Sequence, residues 1–131
     1  MAVRGVENRK QKRWGSEMKI LVVDDDADFA DGMAEMLAFF GHDIHTAYSC
    51  KEGIAAAAEK PFDLALIDVG LADRTGAECV HGIRKFSETV VCVLVTGYSA
   101  DALAQKGISV EEFEILRKPV KLEDLAPYLK D

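Results

Sequence analysis

Lys19-Ile20-Leu21-Val22-Val23-Asp24-Asp25-Asp26 is the stretch whose reading decides the fold. Four consecutive apolar residues, three of them β-branched (Ile20, Val22, Val23), read as a strand covered on both faces, and they run directly into three carboxylates. Such a charged run must leave the core. In an open parallel sheet, ligands bind outside the carboxyl ends of the strands, so these acids belong on a rim where chemistry takes place. Like charges held so close repel one another, and a divalent cation is a physical reason to keep them together.

Outward from that stretch, strand and helix patterns alternate. Phe29, Met33, Met36, Leu37 and Phe40 form one helical stripe that Gly41 stops, and the two methionines read as core. Asp43 to Ala47 alternates as a short strand, and Ser49-Cys50-Lys51-Glu52 has the spacing of a capping box before an alanine-rich helix that ends ahead of Pro61. Phe62 to Asp68 is a second buried strand ending in a carboxylate; residues 69 to 75 read as a loop, and Cys79, Val80, Ile83 and Phe86 as the next helical stripe. Thr89 to Val95 predicts a strand ending in Thr96-Gly97-Tyr98, and a short helix follows from about Ser99 to Lys106. Phe113 to Arg117 predicts the last strand, ending in Lys118-Pro119, with Leu122, Leu125 and Leu129 as the stripe of the final helix. Five βα units in succession predict an α/β fold: a five-stranded parallel sheet, doubly wound, with helices on both faces.

Four strand ends therefore carry polar groups: Asp24 with Asp25, then Asp68, Thr96 and Lys118. Parallel strands share one direction, so all four ends meet on one rim. Three carboxylates, a hydroxyl and an ammonium suit phosphoryl transfer. A divalent metal on Asp24, Asp25 and Asp68 would grip a phosphoryl oxygen, Thr96 and Lys118 would donate to others, and a carboxylate could serve as nucleophile.

With these signals in order, the chain from residue 18 to 130 resembles the response-regulator receiver domains of two-component signalling. The matching features are Val22-Val23-Asp24-Asp25, a lone Asp68 with Gly76 eight residues on, Thr96, and Lys118-Pro119. The resemblance implies a flavodoxin-like fold with Asp68 as phosphoacceptor. It implies Mg²⁺ held by Asp24, Asp25, Asp68 and the backbone carbonyl of Gly70, with Thr96 and Lys118 contacting the phosphoryl group. It also implies a cis Lys118–Pro119 bond and a histidine kinase or histidine phosphotransfer protein as donor.

Departures from the family pattern carry expectations of their own. Ala72 stands where the family usually has proline, four residues after the phosphoacceptor, which predicts a looser loop. Ile115 replaces the aromatic switch residue three before the lysine, and Tyr98 is the candidate to take over that role, as in single-domain receivers with a Thr-Gly-Tyr segment. Asp26 reads as the N-cap of the first helix. His42, His45 and His81 lack ligand spacing, and Cys50, Cys79 and Cys92 read as buried free thiols.

Composition fits one soluble domain of 131 residues, with 49% hydrophobic and 30% charged residues. Residues 1–17 hold five basic and two acidic groups, a net of +3, and the remaining residues hold 11 and 21, a net of −10. The first segment reads as a basic, disordered leader and 18–131 as the receiver domain, too acidic to bind nucleic acid itself. With neither a signal peptide nor a membrane span in the sequence, a cytoplasmic location is expected, and with the chain ending at Asp131 no output domain is expected after the last helix. Two other classes compete. An aspartate-nucleophile phosphatase would place its nucleophile and second acid within Asp24-Asp25-Asp26 and leave Asp68 unexplained. A nucleotide-binding domain would need a glycine-rich loop after the first strand, and the sequence has none there.

Overall fold

The structure, a computed structural model, describes residues 17–129. Strands β1 (Lys19–Val23), β2 (Asp43–Ala47), β3 (Leu64–Asp68), β4 (Val91–Thr96) and β5 (Glu114–Arg117) alternate with helices α1 (Ala27–Phe39), α2 (Cys50–Glu59), α3 (Gly76–Arg84), α4 (Ala100–Gln105) and α5 (Leu122–Leu125). The strands form one sheet in the order β2-β1-β3-β4-β5, and every pairing is parallel. This is the expected doubly wound α/β architecture.

Both faces of the sheet are covered, which explains why its central strands β1, β3 and β4 are apolar except at their ends. Leu21, Val23, Ala65, Ile67, Cys92 and Leu94 point to one side and pack with Cys50, Ala57, Cys79, Ile83 and Leu103 from α2, α3 and α4. The intervening residues Ile20, Val22, Leu64, Leu66, Val93 and Val95 pack on the other side with Ala30, Met33 and Leu37 of α1 and with Leu125 and Leu129. The chain leaves β1 towards β2 but returns to pair β3 on the opposite edge. That reversal of winding opens a crevice outside the carboxyl ends of β1 and β3, where Asp24 and Asp68 stand.

Helix starts follow the local chemistry. Asp26, Ser49, Thr75 and Ser99 are the N-caps of α1 to α4, each accepting the N–H three residues on. The box expected at Ser49–Glu52 is only half formed, because Glu52 Oε1 accepts from Tyr48 N–H, 2.9 Å away, one residue before the cap. A complete box occurs instead at Thr75 and Glu78, inside and just past the segment read as loop. Gly41 ends α1 with φ +97°.

Several boundaries and one stripe member differ from expectation. β3 begins at Leu64, β4 at Val91 and β5 at Glu114, each one or two residues late. Phe86 lies beyond the end of α3 and is 57% exposed, so it is not part of the buried stripe. The final helix is a single turn, because Pro127 converts its continuation to a 3-10 turn at Ala126–Tyr128; Leu129 is buried nonetheless. Met33 is buried and Met36 is half-buried against the same cluster. Cys50, Cys79 and Cys92 are buried free thiols, and burial is the main cause that pushes each thiol pKa up. His42 is buried with Nδ1 accepting from Met18 N–H at 3.0 Å. The leader expected at 1–17 lies, apart from Glu17, outside the described residues. Among the described residues no helix is long and apolar enough to cross a membrane.

Candidate functional site

Each strand delivers its end group to the crevice through the register of the sheet. Asp24 follows β1 and continues its ladder, with its N–H donating to Ala47 O at 3.0 Å. Asp68 closes β3 opposite Val95, and Thr96 closes β4 opposite Arg117. Lys118 comes one residue after β5; its N–H donates to Thr96 O at 2.8 Å, and its bond to Pro119 is cis as expected. From there its ammonium reaches back across the rim to Asp24 Oδ2 at 2.9 Å and Asp68 Oδ1 at 3.3 Å, over the ring of Phe29.

The acids expected to act together do converge. Asp24, Asp25 and Asp68 each offer a carboxylate oxygen, and these oxygens all lie within 4.8 Å of one another. Two unit charges at that separation repel by about 3 kcal/mol at an effective dielectric near 20, so the cluster needs cations. Lys118 supplies one positive charge. Burial pushes the Asp68 pKa up, the neighbouring Asp24 charge adds to the rise, and Lys118 opposes it. Burial works against the Lys118 charge, but its hydrogen bond to Asp24 and the Asp68 and Asp24 charges more than compensate, so its pKa is raised. An oxygen-only donor set with unbalanced negative charge fits a hard divalent cation.

Asp25 is exposed and its Oδ2 accepts from Ala72 N–H at 3.0 Å. The looser loop expected from Ala72 is therefore not what the structure shows: alanine has the N–H that proline lacks, and it ties the loop to the acid cluster. One residue on, Asp73 accepts from the N–H groups of Cys50 and Lys51, both at 3.0 Å, and so fastens the same loop to the start of α2. Neither contact was foreseen from the sequence, because each donor is a backbone N–H that residue identity does not mark. Asp26 caps α1 as expected, accepting from Phe29 N–H, while its own N–H donates to Asp24 Oδ1.

Thr96 is buried, and its Oγ1 accepts from Tyr98 N–H at 2.9 Å, which leaves the hydroxyl proton to be given elsewhere. A cleft of about 280 Å³ is lined by Asp68, Gly70, Gly97, Tyr98 and Lys118. Tyr98 forms one wall, 40% exposed, with the Lys106 ammonium over its ring. Gly70 sits under it so closely that a Cβ there would lie 3.2 Å from the phenol oxygen. Gly76 is confined more tightly, since a Cβ there would come within 2.9 Å of the Asp68 backbone carbonyl oxygen. Ile115 does not line this cleft and is half-buried against the core on β5.

The family profile for the response regulator receiver domain matches residues 20–130. The chain belongs to that family. Receiver domains work with histidine kinases in two-component systems. Among curated relatives, this receiver domain is 31% identical over 111 residues to the acid tolerance regulatory protein ActR of Rhizobium meliloti, covering 85% of this chain and 57% of ActR. It is 31% identical over 111 residues to the photosynthetic apparatus regulatory protein RegA of Cereibacter sphaeroides, covering 85% and 60%. The receiver domain thus spans less than two thirds of the length of those relatives. A solved CheY-like receiver domain from Methanospirillum hungatei superposes with a TM-score of 0.71 at 30% identity, covering 86% of this chain and 90% of that one. Another, from Methylobacillus flagellatus, gives 0.75 at 27% identity, covering 87% and 97%.

Proposed function

We propose that this receiver domain takes a phosphoryl group onto Asp68 from a phosphohistidine of a histidine kinase or histidine phosphotransfer protein. The observation that carries this reading is the bridging of Asp24 and Asp68 by Lys118 beside an exposed Asp25. Residues from the ends of three strands there form one partly neutralised acid cluster. Lys118 engages Asp68 Oδ1 and leaves the other oxygen to attack. As that oxygen bonds to phosphorus, the bond to the donor's imidazole nitrogen breaks and its electron pair returns to the ring. Thr96 donates its hydroxyl proton to one phosphoryl oxygen and Lys118 donates to another, so charge arriving on Asp68 meets groups already in place. Asp24, Asp25, Asp68 and the Gly70 carbonyl would hold Mg²⁺, which when bound supplies positive charge to the phosphoryl oxygens.

Output is proposed to pass through protein–protein contact or onward relay, from a cytoplasmic location. Nucleic acid is not a proposed ligand of this domain, since residues 18–131 carry a net charge of −10. Incubation with acetyl phosphate and Mg²⁺ should add one phosphoryl mass to the wild type and none to Asp68→Asn. Equal Mg²⁺-dependent labelling of the two proteins would overturn the assignment.

A further inference from the structure

The loop after β3 makes two contacts that the phosphoacceptor role does not use, and they are in series. At one end, the Asp73 carboxylate takes the N–H groups of Cys50 and Lys51 while Ser49 takes that of Glu52, so the first three donors of α2 are all satisfied. Two bonds from one carboxylate to a rigid helix start fix both the position and the direction of the loop there. The lowered pKa of Asp73, caused by those same two N–H groups, keeps the anchor ionised. At the other end, the adjacent Ala72 directs its N–H at Asp25 Oδ2. Asp25 is an exposed side chain at the end of its strand, and without such a bond it would exchange among rotamers.

We propose that the Ala72 N–H, held in place by the anchoring of Asp73 on α2, is the positioning group that aims Asp25 into the cation site. This inference rests on the reading of Asp24, Asp25 and Asp68 as the cation-holding set. It makes the start of α2 and the acid cluster one mechanical unit, although no residue of α2 reaches the site. Proline, the usual family residue at this position, has no N–H to offer, so the device depends on the alanine this chain carries there. Hydrogen bonds to metal-holding carboxylates generally set metal affinity by about ten- to a hundredfold. The present bond, in a solvent-exposed place, belongs at the lower end of that range.

The test uses the full chain and Mg²⁺ alone, with affinity read by calorimetry and amide hydrogen exchange at Cys50 and Lys51 read by NMR. Ala72→Pro and Asp73→Ala should each weaken Mg²⁺ binding by about tenfold. The double variant should be little worse than either one, because both remove the same support. Asp73→Asn, with one acceptor oxygen in place of two, should restore part of the affinity. Mg²⁺ should slow exchange at Cys50 and Lys51 in the wild type and not in Ala72→Pro. If Ala72→Pro does not fold, Asp73→Ala and Asp73→Asn carry the same comparison. Wild-type affinity in Ala72→Pro and Asp73→Ala, with binding lost in Asp25→Ala, would overturn the positioning role and leave the cation site standing. Absence of Mg²⁺ binding in the wild type, or unchanged binding in Asp25→Ala, would sink both.

Discussion

Asp24, Asp25 and Asp26 are chemically identical neighbours with three different surroundings. Asp24 is buried, paired with Lys118, and accepts from Asp26 N–H. Asp25 faces solvent and meets the loop through Ala72. Asp26 turns its carboxylate to Phe29 N–H and starts α1. Mutations should separate these roles. Asp25→Ala should abolish Mg²⁺-dependent phosphorylation with little loss of stability. Asp26→Ala should lower unfolding stability by about 1 kcal/mol, the usual cost of an N-cap, and reduce phosphorylation less. Urea unfolding and intact mass measured on both variants check this; equal losses of phosphorylation would mean that the cluster is wrongly divided. The strand-end acids were legible because apolar runs stop abruptly at them. The fastening of Ala72 and Asp73 was not, because a backbone N–H leaves no trace in residue identity and its acceptor lies far away in the chain.

Among the elements, α4 and the turn leading into it are the switch we propose. Leu103 is the one fully buried side chain of α4, and the segment joins the rim through Tyr98. Tyr98 N–H is bonded to the Thr96 hydroxyl, and Tyr98 O accepts from Arg117 Nη1 at 2.7 Å. A Thr96 drawn towards a phosphoryl group would therefore pull directly on the backbone of Tyr98, while Ile115 has no polar tip with which to respond. A Cβ at Gly97 would touch nothing, so this conformer does not itself require glycine there. The expected outcome is that beryllofluoride, a phosphoryl mimic, changes hydrogen exchange over residues 96–106 and the burial of Tyr98, with Ile115 unmoved. Gly97→Ala should leave stability equal or raise it by about 0.4–1 kcal/mol, yet blunt that response. Identical exchange with and without the mimic would place the switch elsewhere. Element order and type were readable from periodicity, because both sheet faces are apolar and the helices carry one stripe each. The ends of elements were less so: Phe86 continued the spacing of α3 past its last turn, and Pro127 cut the final helix short although Leu129 still found the core.

At the scale of the whole molecule, the candidate site follows from one topological fact. Parallel pairing in the order β2-β1-β3-β4-β5 brings the ends of strands from distant parts of the sequence to a single rim, with the winding reversal beside Asp24 and Asp68. That Asp24, Asp25, Asp68 and Lys118 share one rim could be inferred from sequence because it follows from strand direction, whereas the wall made by Tyr98 over Gly70 depends on loop conformation. The receiver reading and the aspartate-nucleophile phosphatase reading differ in which carboxylate on this rim reacts: Asp68 after β3 in the first, an acid that follows β1 in the second. Borohydride reduces an aspartyl phosphate to homoserine and so records which carboxylate held the phosphoryl group. After treatment of the wild type with acetyl phosphate and Mg²⁺, then borohydride, peptide mass mapping should find homoserine at position 68 alone. Homoserine at 24, 25 or 26, or at none of the four positions, would contradict the account.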